Sequence, residues 1–234
     1  MTVRAAAFNR VIRSAQAVGP PSGGRAILFV TPSSPAAVRT AAIGFARATS
    51  LRATRPVWLI DLDLRDNGLF HHLEVTAPTH QNQPGRAFSA ALDSAPFYRP
   101  VGRRLIATQG GVNPTKLLSL HEVPGSNLYV SRFRVEAMAA GQKLSLSRSD
   151  DWWTAARAKS DWITVHALPL EQGGNALTLC PDVDGVVLVV EADRTPLDDV
   201  MIMQEEVESA GGRVIGAVMV QLGADARWLS TFAA

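Results

Sequence analysis

The stretch ILFVTPSSPAAVRTAAIGFARA, Ile27 to Ala48, decides the fold. It opens on a short, continuous apolar run, the pattern of a strand buried on both faces of a parallel sheet. TPSSP then carries turn chemistry. The helical run PAAVRTAAIGFARATSL begins at Pro35, whose missing N–H would have no intrahelical partner in a first turn anyway. The turn holds no glycine and no lysine. Whether it serves a phosphate is the question the rest of the chain must answer.

The same alternation continues outward. PVWLIDLDLR (56–65) reads as a second buried strand ending in acids, and residues 71–84 as a polar, irregular stretch. GRAFSAALDS (85–94) predicts a helix, RRLIATQ (103–109) a short strand, NPTKLLSLHEV a short helix or turn, and NLYVSRF (127–133) a strand. SDDWWTAARAKS (149–160) predicts a helix capped by Ser149 and started by acids. DWITVHALP, DGVVLVVEAD and GGRVIGAVMV supply three more strands, the last two joined by the helix TPLDDVMIMQEEVESA (195–210). At the front, Phe8, Val11, Ile12 and Ala15 recur at helical spacing within residues 1–18, and GPPSGG (19–24) is a linker. Strands alternating with helices of this length predict an α/β fold, with a mainly parallel sheet and helices on both faces. The expected organisation is an N-terminal helical arm, 1–18, and one domain, 19–234. In such sheets ligands gather at the carboxyl ends of the strands. Here those ends carry Thr31–Thr40, Asp61–Arg65, His166–Pro169 and Glu191–Thr195.

Hydrophobic residues make up 47% of the 234, enough for a sizeable core. No apolar run approaches the roughly 18 residues of a membrane span, and the N-terminus lacks the apolar core of a signal peptide. The single cysteine, Cys180, forms no internal disulfide. These features together predict a cytosolic chain. Net charge is +2, but residues 1–60 hold eight arginines and no acid, whereas residues 182–208 hold nine acids and one arginine. Two readings stand: the segments neutralise each other within the fold, or a basic face meets an acidic partner, a second copy or an anionic membrane surface. Nucleic acid is not an expected partner, because the arginines are not interleaved with aromatics and no groove-reading motif is present.

Three segments carry a resemblance to a known family. VWLIDLDLRDNGLF is a hydrophobic strand followed by Asp-x-Asp-x-Arg; SDWITVHALPL and RVIGAVMVQ follow in order. From about residue 7 to 220 the chain resembles deviant-Walker P-loop ATPases. More narrowly, it resembles the cytoplasmic domain of bacterial tyrosine kinases, which act with chain-length regulators of capsule and exopolysaccharide. The resemblance implies a three-layer P-loop NTPase-like fold. It would put Asp61 and Asp63 near a magnesium ion and the attacking group, with Arg65 fixing the loop. Physically, two carboxylates at i and i+2 after a buried strand can share a cation. They can equally cap a turn or pair with Arg65.

The family's phosphate loop reads Gly-x-x-x-x-Gly-Lys-Ser/Thr, in which backbone N–H groups and the lysine hold phosphate and the hydroxyl holds magnesium. Here the pattern becomes Ser33-x-x-x-x-Val38-Arg39-Thr40. Both glycines are gone, Val38 puts methyl groups where a phosphate would pass, Arg39 offers a planar fork in place of an ammonium, and Pro35 removes a donor. Where the family has a metal-organising aspartate the chain has His166, and where it has an adenine-reading asparagine the chain has Val220, or Gln221 if the register slips by one. His166 is expected as a structural histidine, with a transition-metal ligand or a general base as the other readings. The family's C-terminal tyrosine cluster is absent: the only tyrosines are Tyr98 and Tyr129. Its ring-forming Glu-x-x-Arg-x-x-Arg becomes Ala7-x-x-Arg10-x-x-Arg13, which keeps the two interaction arginines and loses the acid.

His71, His72 and His80 lack the company of Cys or acids at zinc spacing and are expected in a polar loop. Trp152 and Trp153 are neighbours on one helix, so one is expected in the core and the other on a partner surface. The resulting expectation is a catalytically degenerate, kinase-like component of exopolysaccharide or capsule export. It would be cytoplasmic and peripheral to the inner membrane, without a cofactor. It would dock on the cytoplasmic end of a membrane chain-length determinant, with a homo-oligomer open. The alternative is an active enzyme, a tyrosine kinase or positioning ATPase binding ATP and Mg²⁺ through Arg39, Thr40, Asp61 and Asp63.

Overall fold

The computed structural model describes residues 3–20, 22–77, 83–90, 92–102, 113–172 and 175–222, with the side chains of 3–7 excepted. Ten strands and five helices are described: α1 (Val3–Ala17), β1 (Arg25–Val30), α2 (Pro35–Ser50), β2 (Val57–Asp61), α3 (Gly68–Thr76), β3 (Ala87–Ser89), β4 (Tyr98–Val101), β5 (Leu118–Glu122), β6 (Leu128–Phe133), β7 (Lys143–Leu146), α4 (Asp150–Lys159), β8 (Trp162–His166), β9 (Gly185–Glu191), α5 (Leu197–Ser209) and β10 (Val214–Val220). Eight strands form one sheet in the order β10-β9-β1-β8-β2-β6-β5-β3. β10 through β6 run parallel, while β5 and β3 add antiparallel. β4 and β7 pair separately. The central strands are buried on both faces, which is why they read as unbroken apolar runs and not as alternations.

Helices cover both faces. On one side α1, α2 and α3 meet the sheet. Phe45 of α2 stands edge-on to Phe8 of α1 and Trp162 of β8, at 6.4 and 5.5 Å between ring centroids. α1, within the expected arm, therefore sits on the sheet as part of this layer, with Phe8, Val11, Ile12 and Ala15 buried. On the other side lie α4 and α5, anchored by Trp152, Trp153, Met203 and Val207. Among the described residues no helix is long and apolar enough to cross a membrane.

Several local expectations change. Among the described residues of 85–94 there is β3 and no helix, because Ala87–Ser89 completes the sheet edge against His121–Ser119 of β5. Pairing along an open edge outweighs the helix propensity of the three alanines in that stretch. Residues 71–84 begin inside α3, whose Leu69, Phe70 and Leu73 face the core. NPTKLLSLHEV makes a single short turn, Pro114–Lys116, and then becomes β5. The strand expected at 103–109 lies outside the described residues. Both tryptophans of α4 are buried, since Phe97 meets Trp152 at 4.5 Å and Trp153 at 5.3 Å. The β4–β7 pair carries Phe97 and Tyr98 over the helix, so the second indole faces aromatics where a surface was expected.

The amino ends of the strands are tied by acids. Asp184 accepts from the Ala26 N–H and takes the Arg157 guanidinium at 3.0 and 3.1 Å; Asp182 takes Arg148 at 3.1 Å. Part of the acidic segment 182–208 is thus neutralised from α4 and its cap, not from residues 1–60. Asp161 accepts from Arg55 and Thr54. Burial pushes the Asp161 carboxyl up, yet those hydrogen bonds win and hold it below the ordinary carboxylate range.

Truncating Trp153 to alanine is expected to destabilise the fold by about 3–5 kcal/mol. A urea titration would show this as a lower midpoint at unchanged slope. A near-zero change would mean that the aromatic cluster does not hold α4.

Candidate functional site

The carboxyl ends of the central strands are the place to look. The register sets Phe29 of β1 beside His166 of β8, and Asp61 of β2 on the other side of His166. Thr31, Asp61, His166 and Glu191 all lie buried there, on the ends of β1, β2, β8 and β9.

The turn after β1 closes on itself. Thr31 Oγ1 accepts from the Ser34 N–H at 3.3 Å, and Ser34 Oγ accepts from the Ala37 N–H at 3.2 Å. The Val38 N–H goes to the Ser34 carbonyl at 3.1 Å. Pro32 and Pro35 have no N–H to offer. Most donors that would face an anion at a helix start are therefore engaged within the chain. Helix α2 already runs from Pro35, so Val38, Arg39 and Thr40 are helical residues and not loop. Val38 is buried in the core under α2, Arg39 and Thr40 are half-buried, and Ser33 is exposed.

The acidic motif is also turned inward. The Asp61 carboxylate accepts from the N–H groups of Asp63 (2.9 Å) and Leu69 (2.7 Å), and faces His166 Nδ1 at 2.9 Å. The Asp61 N–H in turn donates to Ser131 Oγ at 2.8 Å. Asp63 accepts from the Asp66 N–H at 3.0 Å, and Arg65 is exposed, 3.5 Å from Asp66. Asp61 and Asp63 therefore sit together but hold one turn through separate bonds. A carboxylate partner at Nδ1 makes that nitrogen the protonated one. His166 Nε2 is then a buried acceptor with no partner among the described residues, as is Thr164 Oγ1 two positions earlier on the same strand. No group of three His, Cys, Asp or Glu that could hold a metal exists among the described residues.

Asn67 was not singled out by sequence reasoning, yet it completes this corner. It adopts a left-handed backbone (φ 51°), and its side chain bonds both the carbonyl (3.0 Å) and the N–H (2.6 Å) of Phe133 on β6. The signal available was the Asn67-Gly68 dipeptide, a turn marker.

Among known proteins, no protein-family model matches the chain. No curated protein matches it either. Solved structures do. It is similar to the VpsO kinase domain, at 16% identity and a TM-score of 0.53, over 94% of this chain and 96% of that one. It is similar to the BceF tyrosine kinase domain, at 14% identity and 0.53, over 94% and 74%. It is similar to the chimerical protein CapA2B2, at 16% identity and 0.54, over 91% and 82%. The fold is that of bacterial tyrosine kinase domains. At such identities the likeness covers the fold alone.

Against that fold, Val220 at the end of β10 packs in the core beneath α1 and α2. Tyr98 is buried, with its hydroxyl on the Pro114 carbonyl at 2.9 Å, and burial pushes its phenol well up. Arg10 and Arg13 are exposed on α1. His71 and His72 both belong to α3, where His71 pairs with Glu74 at 3.0 Å; His80 lies outside the described residues. Burial pushes His72 down to about 4, helped by the positive charges of Arg39 and Arg47. A cleft of about 810 Å³ lies at the opposite end of the sheet, between Gly19, Gly23, Arg148, Arg157 and Asp184.

Removing the Asp61 carboxylate (Asp61→Ala) strands two N–H groups and His166 in the interior, and is expected to cost about 3–5 kcal/mol in a denaturant titration; Ser34→Ala, which removes a cap, is expected to cost about 1 kcal/mol. The His72 shift sets a pH dependence as well. Between the ordinary value of 6.5 and the folded value of about 4, the unfolded chain binds a proton that the folded chain does not. Stability is therefore fully present above pH 6.5 and declines toward pH 4. Thermal melts of His72→Gln should decline less over that window than those of the wild type; equal declines would show that His72 titrates normally.

Proposed function

We propose that the chain is a kinase-like scaffold that has given up phosphoryl transfer. It would act in the assembly or regulation of exopolysaccharide or capsule export, on the cytoplasmic end of a membrane chain-length determinant. The observation that carries this reading is the closed start of α2. A phosphate cradle needs backbone N–H groups aimed at the ligand and a flexible glycine loop. Here Ser34 and Thr31 take those N–H groups, and Val38 fills the space. Support also comes from Asp61, whose oxygens are occupied by His166 and two backbone N–H groups where a magnesium-bound phosphate would need them free. These residues do not fit ATP with magnesium, and no catalytic step is assigned to Arg39, Thr40, Asp61 or Asp63.

The framework that remains is intact: eight strands, both helical layers, and an exposed Arg10–Arg13 pair. A fold kept with its pocket filled serves recognition. By the resemblance, its place is at the inner membrane surface, held there by its partner.

Isothermal titration with ATP and Mg²⁺ tests the reading. No binding heat is expected in the micromolar range, and the chain should co-purify with the cytoplasmic end of a co-expressed chain-length determinant without nucleotide. Micromolar binding with turnover, abolished by Asp61→Asn with Asp63→Asn, would establish the active alternative instead.

A further inference from the structure

Helix α5 and the sheet edge beside it carry features that folding does not explain. α5 buries only Met203 and Val207. Leu197 and Met201 remain 72% and 54% exposed, and Met219 of β10 is 73% exposed. These three side chains share a region. Leu197 and Met201 lie one helical turn apart on one flank of α5. The opposite flank, with Glu206 and Ser209, lines a separate cleft against Leu177 and Pro181. β10 is the edge strand, and it turns Val218 and Val220 inward to the α1–α2 layer, so Met219 points to the α5 side. The Met219–Val190 register puts it near the carboxyl end of β9, the end from which α5 begins. A large apolar patch on an edge strand is a liability unless something covers it.

α5 itself carries charge of one sign, Arg194 just before it being paired with Glu191 and Glu206 belonging to the opposite flank. α5 holds Asp198, Asp199, Glu205, Glu206 and Glu208 and no Lys or Arg, and none of the five forms an ion pair among the described residues. Three of them crowd the last turns, where the helix dipole is already negative and where cations, not anions, stabilise. Those glutamates weaken the helix they sit on.

We propose that the α5–β10 edge is a docking surface for a basic, amphipathic segment of a partner protein. Its apolar side chains would cover Leu197, Met201 and Met219, and its Lys or Arg side chains would meet the acids of α5 and offset their strain on the helix end. Charge disfavours the other occupants. An anionic membrane repels the patch. Two copies paired β10 to β10 about a twofold axis would set α5 beside α5, five acids against five. The basic face of a second copy offers Arg10 and Arg13, but the large apolar side chains of α1, Phe8, Val11 and Ile12, are already buried in its own core. The proposal extends the scaffold reading by giving it a contact surface and stands apart from the fate of the nucleotide site.

The test uses the full chain and a labelled Lys–Leu peptide with amphipathic helical spacing, beside a scrambled peptide of the same composition, read by fluorescence anisotropy. The amphipathic peptide is expected to bind better than the scrambled one, and more weakly as salt rises. Met201→Glu and Met219→Asp are each expected to weaken it about tenfold. Glu205→Gln with Glu208→Gln should weaken it too, while raising the melting temperature of the free protein, a readout that separates lost contact from lost fold. Equal binding of both peptides, or binding unmoved by the methionine variants, overturns the proposal. So does a dimer in sedimentation that Met219→Asp dissociates, which would assign the edge to a second copy. A peptide that binds only after removal of residues 223–234 assigns it to the chain's own tail. The nucleotide titration is independent of every one of these outcomes.

Discussion

The Asp61 carboxylate is the constraint on which the carboxyl end of the sheet depends. It is wholly buried, and a buried carboxylate is tolerable only with donors on its oxygens. It finds them in the Asp63 and Leu69 N–H groups and in His166. One side chain thus joins the end of β2, the turn that follows, the start of α3 and the end of β8. Asn67 fixes the same turn to β6 from the other side. With the corner set in this way, the two acids of the Asp-x-Asp motif build structure.

The start of α2 follows the same logic. Four N-terminal N–H groups of any helix need partners, and an anion is one way to satisfy them. This chain uses another: serine and threonine side chains, with prolines where a donor would be left over. The helix consequently begins at Pro35 and runs sixteen residues without one exposed side chain. Val38 then belongs to the core. A glycine there would leave a cavity, as the valine now fills space between α2 and the sheet. The balance has moved from recognition of a ligand toward self-satisfaction of the fold, and the neighbouring Asp61–His166 pair has moved the same way.

Much of this was legible in the sequence. β1, β2, β8 and β9 announced themselves as apolar runs of five to seven residues, because strands buried on both faces need no polar alternation. α2 and α4 were marked by proline and by a serine cap with acids behind it. β3 and the β4–β7 pair were not marked. Their residues, such as AFS and YRPV, have no pattern that separates strand from loop, and they become strands only because another edge presents unpaired backbone groups. α3 was hidden for a related reason. Its polar His71 is exposed and its His72 and Glu74 are half-buried, and the core contact of Leu69, Phe70 and Leu73 covers less than three turns. The second buried tryptophan was equally invisible, since periodicity on one helix says nothing about a β-pair folding over it.

The sequence by itself determined the layered α/β plan and the residue types at each strand end, because local propensity and burial periodicity are written in neighbouring residues. It left open what those residues do. Asp61 could hold a cation or a turn, and His166 could be structural, a metal ligand or a general base. Only the tertiary structure decided which partners they meet, by bringing Asp61 beside His166 across 105 positions of chain. The physical reason is that a buried polar atom takes whichever donor or acceptor the packed backbone places within about 3 Å, and that distance is a property of the fold and not of the motif.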